Sequence, residues 1–322
     1  MLINRSRTRG ERVYTAWGRC ADLTYSIVAR DPETGRLGVA VQSHWFSVGS
    51  VVSWAEASVG VVATQSFAEP SYGPLGLELM RRGRSAPEAL ETLVRADGNR
   101  AVRQVAFVDA AGQVGVHTGE DCIREFGHAA GDGFSVQANM MERDTVWAAM
   151  DEAYRNTQGD LPDRLLAALT AAQAEHGDIR GVQSAAMLVV EAKATGNEWD
   201  DRVIDLRVED HASPVEELSR LVQMWRAYGH AERAEELELG NDLESALQER
   251  LRALEILAGH PELAFWAAVA MAGVGRLDDA RRTAAIAHSR HAGWAELLRR
   301  MVADGQVELS DEASRALLPE RD

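Results

Sequence analysis

The chain has almost no lysine. Of its 34 basic residues all but Lys193 are arginine, so chemistry that needs a lysine amine has one place to come from. Cysteine is nearly as scarce. Cys20 and Cys122 are the two present, far apart, forming neither a CxxC pair nor a metal-ligand spacing. A disulfide framework is thereby set aside, and cytoplasm is the expected compartment. No apolar run approaches the length of a membrane span. Residues 1–23 (MLINRSRTRGERVYTAWGRCADL) are Arg-rich without a continuous apolar stretch, so they lack the pattern of a secretory signal and read as a disordered leader or a misplaced start. GxxxxGK(S/T) loops, strand–GxGxxG–helix arrangements and GxSxG elbows are all missing, which argues against phosphate-loop enzymes, dinucleotide binding and α/β-hydrolase chemistry. An excess of positive charge is lacking too. At −16, with a pI near 5.1, the surface repels nucleic-acid phosphates and anionic bilayers, so neither is an expected partner.

What is present suffices for ordinary cores. The 322 residues, 46% of them hydrophobic and 26% charged, permit two domains of normal size. Strand patterns come first: Thr24–Ala29, then a turn at Asp31-Pro-Glu-Thr-Gly35, then Leu37–Gln42, which together make a hairpin. Val48–Trp54 and Val59–Thr64 are two further expected strands. A tight turn at 70–74 leads into a helix that stops at Gly83. Ser85-Ala-Pro-Glu88 opens a second helix as a capping box with proline in the first turn. Gln104–Val108 and Val114–His117 flank a glycine turn at 109–112, and Phe134–Asn139 follows the Gly131-Asp-Gly133 turn. Helices are expected over about 142–155 and 160–176, and the last strands over Ser184–Val190 and Val203–Val208. Helices arriving in pairs between groups of antiparallel strands predict a layered α+β sandwich rather than a doubly wound sheet. From Ser213-Pro-Val-Glu216 onward the pattern is purely helical. Within it, residues 261–300 fit one TPR-like unit, with Ala264, Ala267, Ala268 and Met271 on its first helix, Gly275 at its turn, and Ala280, Ala284 and Ala287 on its second.

Few residues suggest chemistry on local pattern alone. His288 and His291 share a helix face at i, i+3, yet no third metal ligand stands near, so no metal is expected. Thr24 opens the first strand immediately behind the leader. A threonine hydroxyl is a poor nucleophile until a base takes its proton, and an N-terminal threonine carries that base in its own α-amine. The amine's pKa of about 7.7–8.0 in model peptides suits the role near neutrality. Read on local pattern alone, Thr24 is better taken as an ordinary β-favouring residue at a strand start.

Residues 24–80 (TYSIVARDPETGRLGVAVQSHWFSVGSVVSWAEASVGVVATQSFAEPSYGPLGLELM) resemble the opening of a bacterial family known as domain of unknown function 1028. Further matches are VQANM (136–140), GDIRGVQSAAMLVV (177–190) and DRVIDLRVEDH (201–211). The resemblance implies a four-layer αββα sandwich of the Ntn-hydrolase superfamily, whose members cleave amide bonds through an N-terminal Thr, Ser or Cys. It implies Thr24 as nucleophile and Asn139 as a side-chain amide donor to the oxyanion, although a turn-forming asparagine reads equally well there. Ser43 and His44 follow the second strand. Many relatives carry lysine in place of His44, where a basic group would lower the amine's pKa. Gln65, Ser66 and Tyr72 on one side, and Arg180, Gln183 and Ser184 on the other, are candidates to line a substrate pocket, though buried polar groups more often serve structure. A Thr–Asp–Lys arrangement is not expected, because Lys193 falls in a loop and Asp31 reads as a turn residue. The tail resembles a region often attached to this family and labelled peptidoglycan-binding, a role that would require export.

Three segments are therefore expected: a leader over 1–23, the sandwich over 24–211, and a helical TPR-like domain over 212–322. The leader is removed by self-cleavage at Leu23–Thr24, or synthesis starts at position 23, or the amine is never freed. The second route is preferred. The leading functional expectation is an Ntn-type amidohydrolase for a small amide or peptide-like substrate, without cofactor. Its rival is a catalytically silent scaffold whose tail binds a protein partner. A homo-oligomer is left open.

Overall fold

The computed structural model describes residues 24–318, so the expectations for residues 1–23, Cys20 included, lie outside the described residues. The chain divides into two compact units between Ser219 and Arg220. In the first, β1 (Thr24–Arg30) and β2 (Leu37–Ser43) form the expected hairpin. Asp31 makes its turn: the carboxylate accepts from the Glu33 N–H at 3.1 Å and the Thr34 hydroxyl at 2.7 Å. Gly35 then takes a φ of +74°, which an L side chain adopts only under strain. β3 (Ser53–Glu56), β4 (Gly60–Ser66), α1 (Tyr72–Arg81) and α2 (Ala86–Ala96) follow. After these come β5 (Arg103–Asp109), β6 (Val114–Thr118), β7 (Gly127–Gly131) and β8 (Phe134–Asn139). α3 (Val146–Asn156), α4 (Leu161–Ala174), β9 (Ser184–Val190), the short α5 (Glu198–Asp201) and β10 (Arg202–Val208) complete the set.

Two antiparallel sheets result, ordered β10-β9-β2-β1-β8-β7 and β3-β4-β5-β6. Their facing sides share a core of Val28, Val39 and Val41 against Val61, Ala63 and Val108. α1 and α2 pack on the outer face of the four-stranded sheet, through Tyr72, Leu77, Met80 and Leu90 against Val62, Val105 and Phe107. That approach is close enough that a Cβ on Gly76 would lie 2.4 Å from the Phe107 ring. α3 and α4 cover β1, β2, β7 and β8 on the other side. Helices, sheet, sheet and helices are thus stacked in order, and β1, covered on both faces, is buried at all but its last position.

Local signals mostly hold. The capping box at α2 is complete, with the Glu88 N–H donating to Ser85 Oγ and the Ser85 N–H to Glu88 Oε2. Three expectations are corrected. Val48–Trp54 is not one strand: Val48–Ser50 is a 3-10 turn and pairing starts at Ser53, because Ser47 is left-handed and the Val48 N–H is taken by Ser184 Oγ. Residues 142–145 do not begin α3, since the Glu142 N–H is drawn to the Gly177 carbonyl and Met141 bridges Asp178. α1 starts at Tyr72, earlier than expected, because Pro74 in a first turn forfeits no intrahelical hydrogen bond.

α6 (Pro214–Leu239) runs across the division, and the second unit continues with α7 (Leu243–Ile256), α8 (Pro261–Gly273), α9 (Leu277–Arg290), α10 (Gly293–Ala303) and α11 (Asp311–Leu317). α8 and α9 pack closely across a turn where Gly275 has a φ of +82°. The expected small residues face inward: Ala268, Met271, Ala280, Ala284 and Ala287 share a core with Phe265, Leu298 and Leu317. No described helix is long and apolar enough to cross a membrane.

Candidate functional site

β1 lies between β2 and β8, and their registers set Thr24 opposite both Ser43 and Asn139. Alternation places Thr24, Ser26 and Val28 on the face turned to the other sheet, with Ser43 and Asn139 beside Thr24 on that face. Val28 belongs to the apolar core. Two and four residues earlier the same face turns polar, and so do its neighbours: Ser135, Gln137 and Asn139 on β8, Gln65 on β4 and Gln104 on β5, all buried. The sheet interface therefore has an apolar end and a polar end, and Thr24 sits at the polar one.

Buried amides must find partners, and here they find one another. Gln104 Oε1 accepts from Gln65 Nε2 at 2.7 Å and from Asn139 Nδ2 at 3.0 Å. The Gln104 amide donates to Thr118 Oγ1, the Gly127 carbonyl and the Ala138 carbonyl at 3.0–3.1 Å. Ser26 donates to Gln65 Oε1 at 2.5 Å and accepts from Gln137 Nε2 at 2.6 Å. Thr24 is the focus. Its carbonyl oxygen accepts from Gln65 Nε2 at 3.1 Å and Asn139 Nδ2 at 3.3 Å, and its hydroxyl donates to Ser43 Oγ at 3.2 Å. Thr24 is wholly buried. Asn139 Oδ1 is buried without a hydrogen-bond partner among the described residues. Two left-handed non-glycine residues flank the site, Ser66 after Gln65 (φ +70°) and Met140 after Asn139 (φ +54°). Backbone strain of this kind costs roughly 1–3 kcal/mol per residue and gathers at functional sites.

Thr24, Ser43, Asn139 and Gln65 are thus brought together, with Ser66 next in chain. The remaining candidates lie elsewhere. The His44 ring faces the Val182 carbonyl at 3.3 Å through Nδ1, and the His44 backbone N–H donates to Asp178 Oδ2 at 3.1 Å. Arg180 is also spent on the buried Asp178 carboxylate, through Nε at 3.2 Å and Nη2 at 3.0 Å. Gln183 donates through its N–H to the Ser43 carbonyl and through Nε2 to Asp210. The Ser184 hydroxyl holds the 45–48 loop between the Trp45 carbonyl and the Val48 N–H. Tyr72 lies in the core on the opposite face of the four-stranded sheet, its hydroxyl donating to Asp97 Oδ2 at 3.2 Å. Burial, then Asp97, pushes that phenol well above its ordinary range.

Ser26, Gln104 and Gln137 are members that sequence reasoning missed. For Ser26 and Gln137 the signal is there: in TYSIVAR and FSVQAN, polar residues fall on alternate positions of strands that are otherwise apolar. Titratable groups stand one step away. Burial raises the Tyr25 phenol, with the Asp178 charge adding to it, and burial raises the Cys122 thiol, whose sulfur faces the Arg103 carbonyl. At the outer end of the network Thr118 Oγ1 meets His128 Nδ1 at 2.9 Å, an imidazole that burial and then His117 hold below its usual pKa. Among the described residues no three His, Cys, Asp or Glu side chains cluster as metal ligands, and His288 faces the Leu317 carbonyl.

A family of unknown function, DUF1028, matches the chain over residues 24–218. The crystal structure of a DUF1028 protein from Silicibacter pomeroyi is 32% identical, with a TM-score of 0.56, over 62% of this chain and 88% of that one. No curated protein matches the chain.

Proposed function

This chain belongs to the DUF1028 family, and on that premise we propose that its first unit is an Ntn-hydrolase-type sandwich that cleaves a small amide or peptide-like bond with Thr24 as N-terminal nucleophile. One observation carries the reading. The Thr24 hydroxyl is hydrogen-bonded to another hydroxyl, that of Ser43, and no imidazole or carboxylate among the described residues is hydrogen-bonded to it. Neither hydroxyl is a base at neutral pH, and an amine created at Thr24 itself would supply one. Breaking the peptide bond before Thr24 turns its amide nitrogen into an amine of about pKa 7.7–8.0. Asn139, the cross-strand partner, keeps a buried acceptor in Oδ1.

In the reaction Thr24 Oγ attacks the scissile carbonyl carbon while the amine takes the hydroxyl proton. Collapse breaks the C–N bond, and that proton leaves on the departing amine. Water, deprotonated by the Thr24 α-amine, then attacks the ester, and as the C–O bond breaks that proton passes to Thr24 Oγ and restores the hydroxyl. Gln65 and Asn139 hold the Thr24 carbonyl from two sides and so fix the direction of attack. The test is release of p-nitroaniline from a panel of acyl p-nitroanilides. Thr24→Ala abolishes it and Thr24→Ser retains part of it; an unchanged rate in Thr24→Ala refutes the assignment.

A catalytically silent scaffold is the second reading, and the full burial of Thr24 favours it. In either case we read the α8–α9 pair, with its small inward residues, as TPR-like.

A further inference from the structure

β10 ends the six-stranded sheet. β9 pairs with one side of it, and no described strand pairs with the other. A strand in that position turns a row of backbone N–H and C=O groups away from the sheet, where another strand can take them. The edge is seven residues long, Arg202 to Val208. The opposite edge, β7, is five residues of glycine, alanine and one histidine, packed against α3. Trp199 lies in α5, directly before β10, and is 75% exposed. The β10 edge therefore also carries an uncovered apolar surface at its start.

The side chains select the partner. Charges on an edge strand ordinarily keep other strands away, but here their spacing admits one arrangement. Asp205 and Arg207 stand two residues apart on one face, both partly exposed, with Arg207 Nε meeting Asp205 Oδ1 at 3.1 Å. Arg202 Nη1 reaches the other Asp205 oxygen at 3.4 Å. Such exposed contacts contribute little by themselves, and a carboxylate and a guanidinium each have more acceptor or donor positions than these contacts use. A second copy, brought antiparallel about a twofold axis normal to the sheet, keeps each face continuous. Centred on Leu206, the axis sets Asp205 opposite Arg207 of the second copy and Arg207 opposite its Asp205, with Ile204 opposite its Val208. Four alternating charges then meet across the seam. Centred on Asp205, the axis would set that carboxylate against itself and Arg207 against Val203. Centred on Ile204, it would set Asp205 against Val203 and Arg202 against Leu206. Of the registers in which most of the strand pairs, only the one about Leu206 sets opposite charges face to face.

We propose that β10 is a self-association edge, through which two copies of this chain join antiparallel about Leu206 into one continuous sheet. This holds whether or not Thr24 is catalytic.

The test is sedimentation equilibrium of the full chain. Wild-type protein associates to twice its mass of 35.1 kDa. Asp205→Arg and Arg207→Asp each set like charges opposite one another, and each raises the dissociation constant by roughly tenfold or more. Mixed in equal amounts, the two variants recover association, because one presents two arginines to the other's two aspartates. Ion pairing confined to a single strand is broken in both variants and gives no such recovery. Where either variant fails to fold, Leu206→Cys in a Cys20→Ser background serves in its place, the remaining Cys122 being buried. Mild oxidation then links two copies at the axis, because directly opposed Cα atoms lie about 4.5–5.5 Å apart, within disulfide reach. Arg202→Cys in the same background, far from the axis, does not link. Wild-type protein that stays monomeric throughout the micromolar range, undiminished association in both single variants, no recovery on mixing, or no cross-link through Leu206→Cys overturns the proposal.

Discussion

Gln104 is the keystone of the buried polar layer, and its replacement by leucine measures what that layer contributes. Its side chain takes hydrogen bonds from Gln65 and Asn139 and gives them to Thr118, Gly127 and Ala138. In Gln104→Leu the Gln65 amide still has the Thr24 and Gln137 carbonyls in reach, at 3.1 and 3.4 Å. Asn139 has only Thr24, so one buried N–H is orphaned, at roughly 1–3 kcal/mol. The two N–H groups of Gln104 also vanish, each worth about 0.5–1.5 kcal/mol in bonds made. The sum is a loss of about 2–6 kcal/mol, a large part of the roughly 5–15 kcal/mol that holds a typical fold. With a urea dependence of about 2 kcal/mol/M, the unfolding midpoint falls by about 1 M or more. Gln158→Leu, at an exposed position, shifts stability by no more than about 0.5 kcal/mol and serves as the control. A Gln104→Leu midpoint equal to that of the control refutes the claim that the layer is a mutually satisfied network.

Two further outcomes rest on other buried polar groups. Burial alone raises the Asp97 carboxyl, but hydrogen bonds from Arg103 and the Asn99 N–H, with the Arg103 charge, bring it net below the ordinary carboxylate range. Its folded pKa therefore lies below its unfolded value of about 3.9, so its contribution is complete at neutral pH and lost as pH falls through the folded value. Asp97→Asn should cost up to about 3 kcal/mol at pH 7, where it takes the nearest counter-charge from the buried Arg103 and leaves it the Phe67 carbonyl and the more distant Glu69, and the gap should narrow in urea titrations as pH falls below the unfolded value; a gap independent of pH contradicts the pairing. Gln42 is fully buried on β2 and neither atom of its amide has a hydrogen-bond partner among the described residues, so Gln42→Met should stabilise the protein by about 1–3 kcal/mol against urea. Destabilisation would mean that the amide does find a partner.

The fold was legible where local chemistry repeats its own message. The Asp31 turn, the Ser85 capping box and the alternating strands each specify their structure within a few residues. β7 escaped because Gly127, Ala129, Ala130 and Gly131 carry no β-favouring side chains; the strand is small so that others can approach, and a Cβ on Gly127 would lie 2.4 Å from Trp147. Val48–Ser50 reads as strand by residue type, yet it is turned by Ser184, 136 residues away. The candidate site was legible in part for a related reason. Thr24, Ser43 and Asn139 fall in the matched strands of one sheet, so their meeting follows from pairing. Gln104 and Gln65 reach them from the other sheet, and nothing local announces that partnership. Tyr72 stands only a few residues after Ser66, but α1 carries it to the far face of the four-stranded sheet.

The mass and first residue of the untagged protein, made from its natural coding region, bear most directly on the proposed chemistry. If the nucleophile is Thr24, the mature chain begins there, and a bulky electrophile that requires adjacent amine and hydroxyl groups adds once at that residue. A stable, homogeneous chain that retains residues ahead of Thr24, with no species lacking them, contradicts the amidohydrolase reading and leaves the polar layer as a structural element alone.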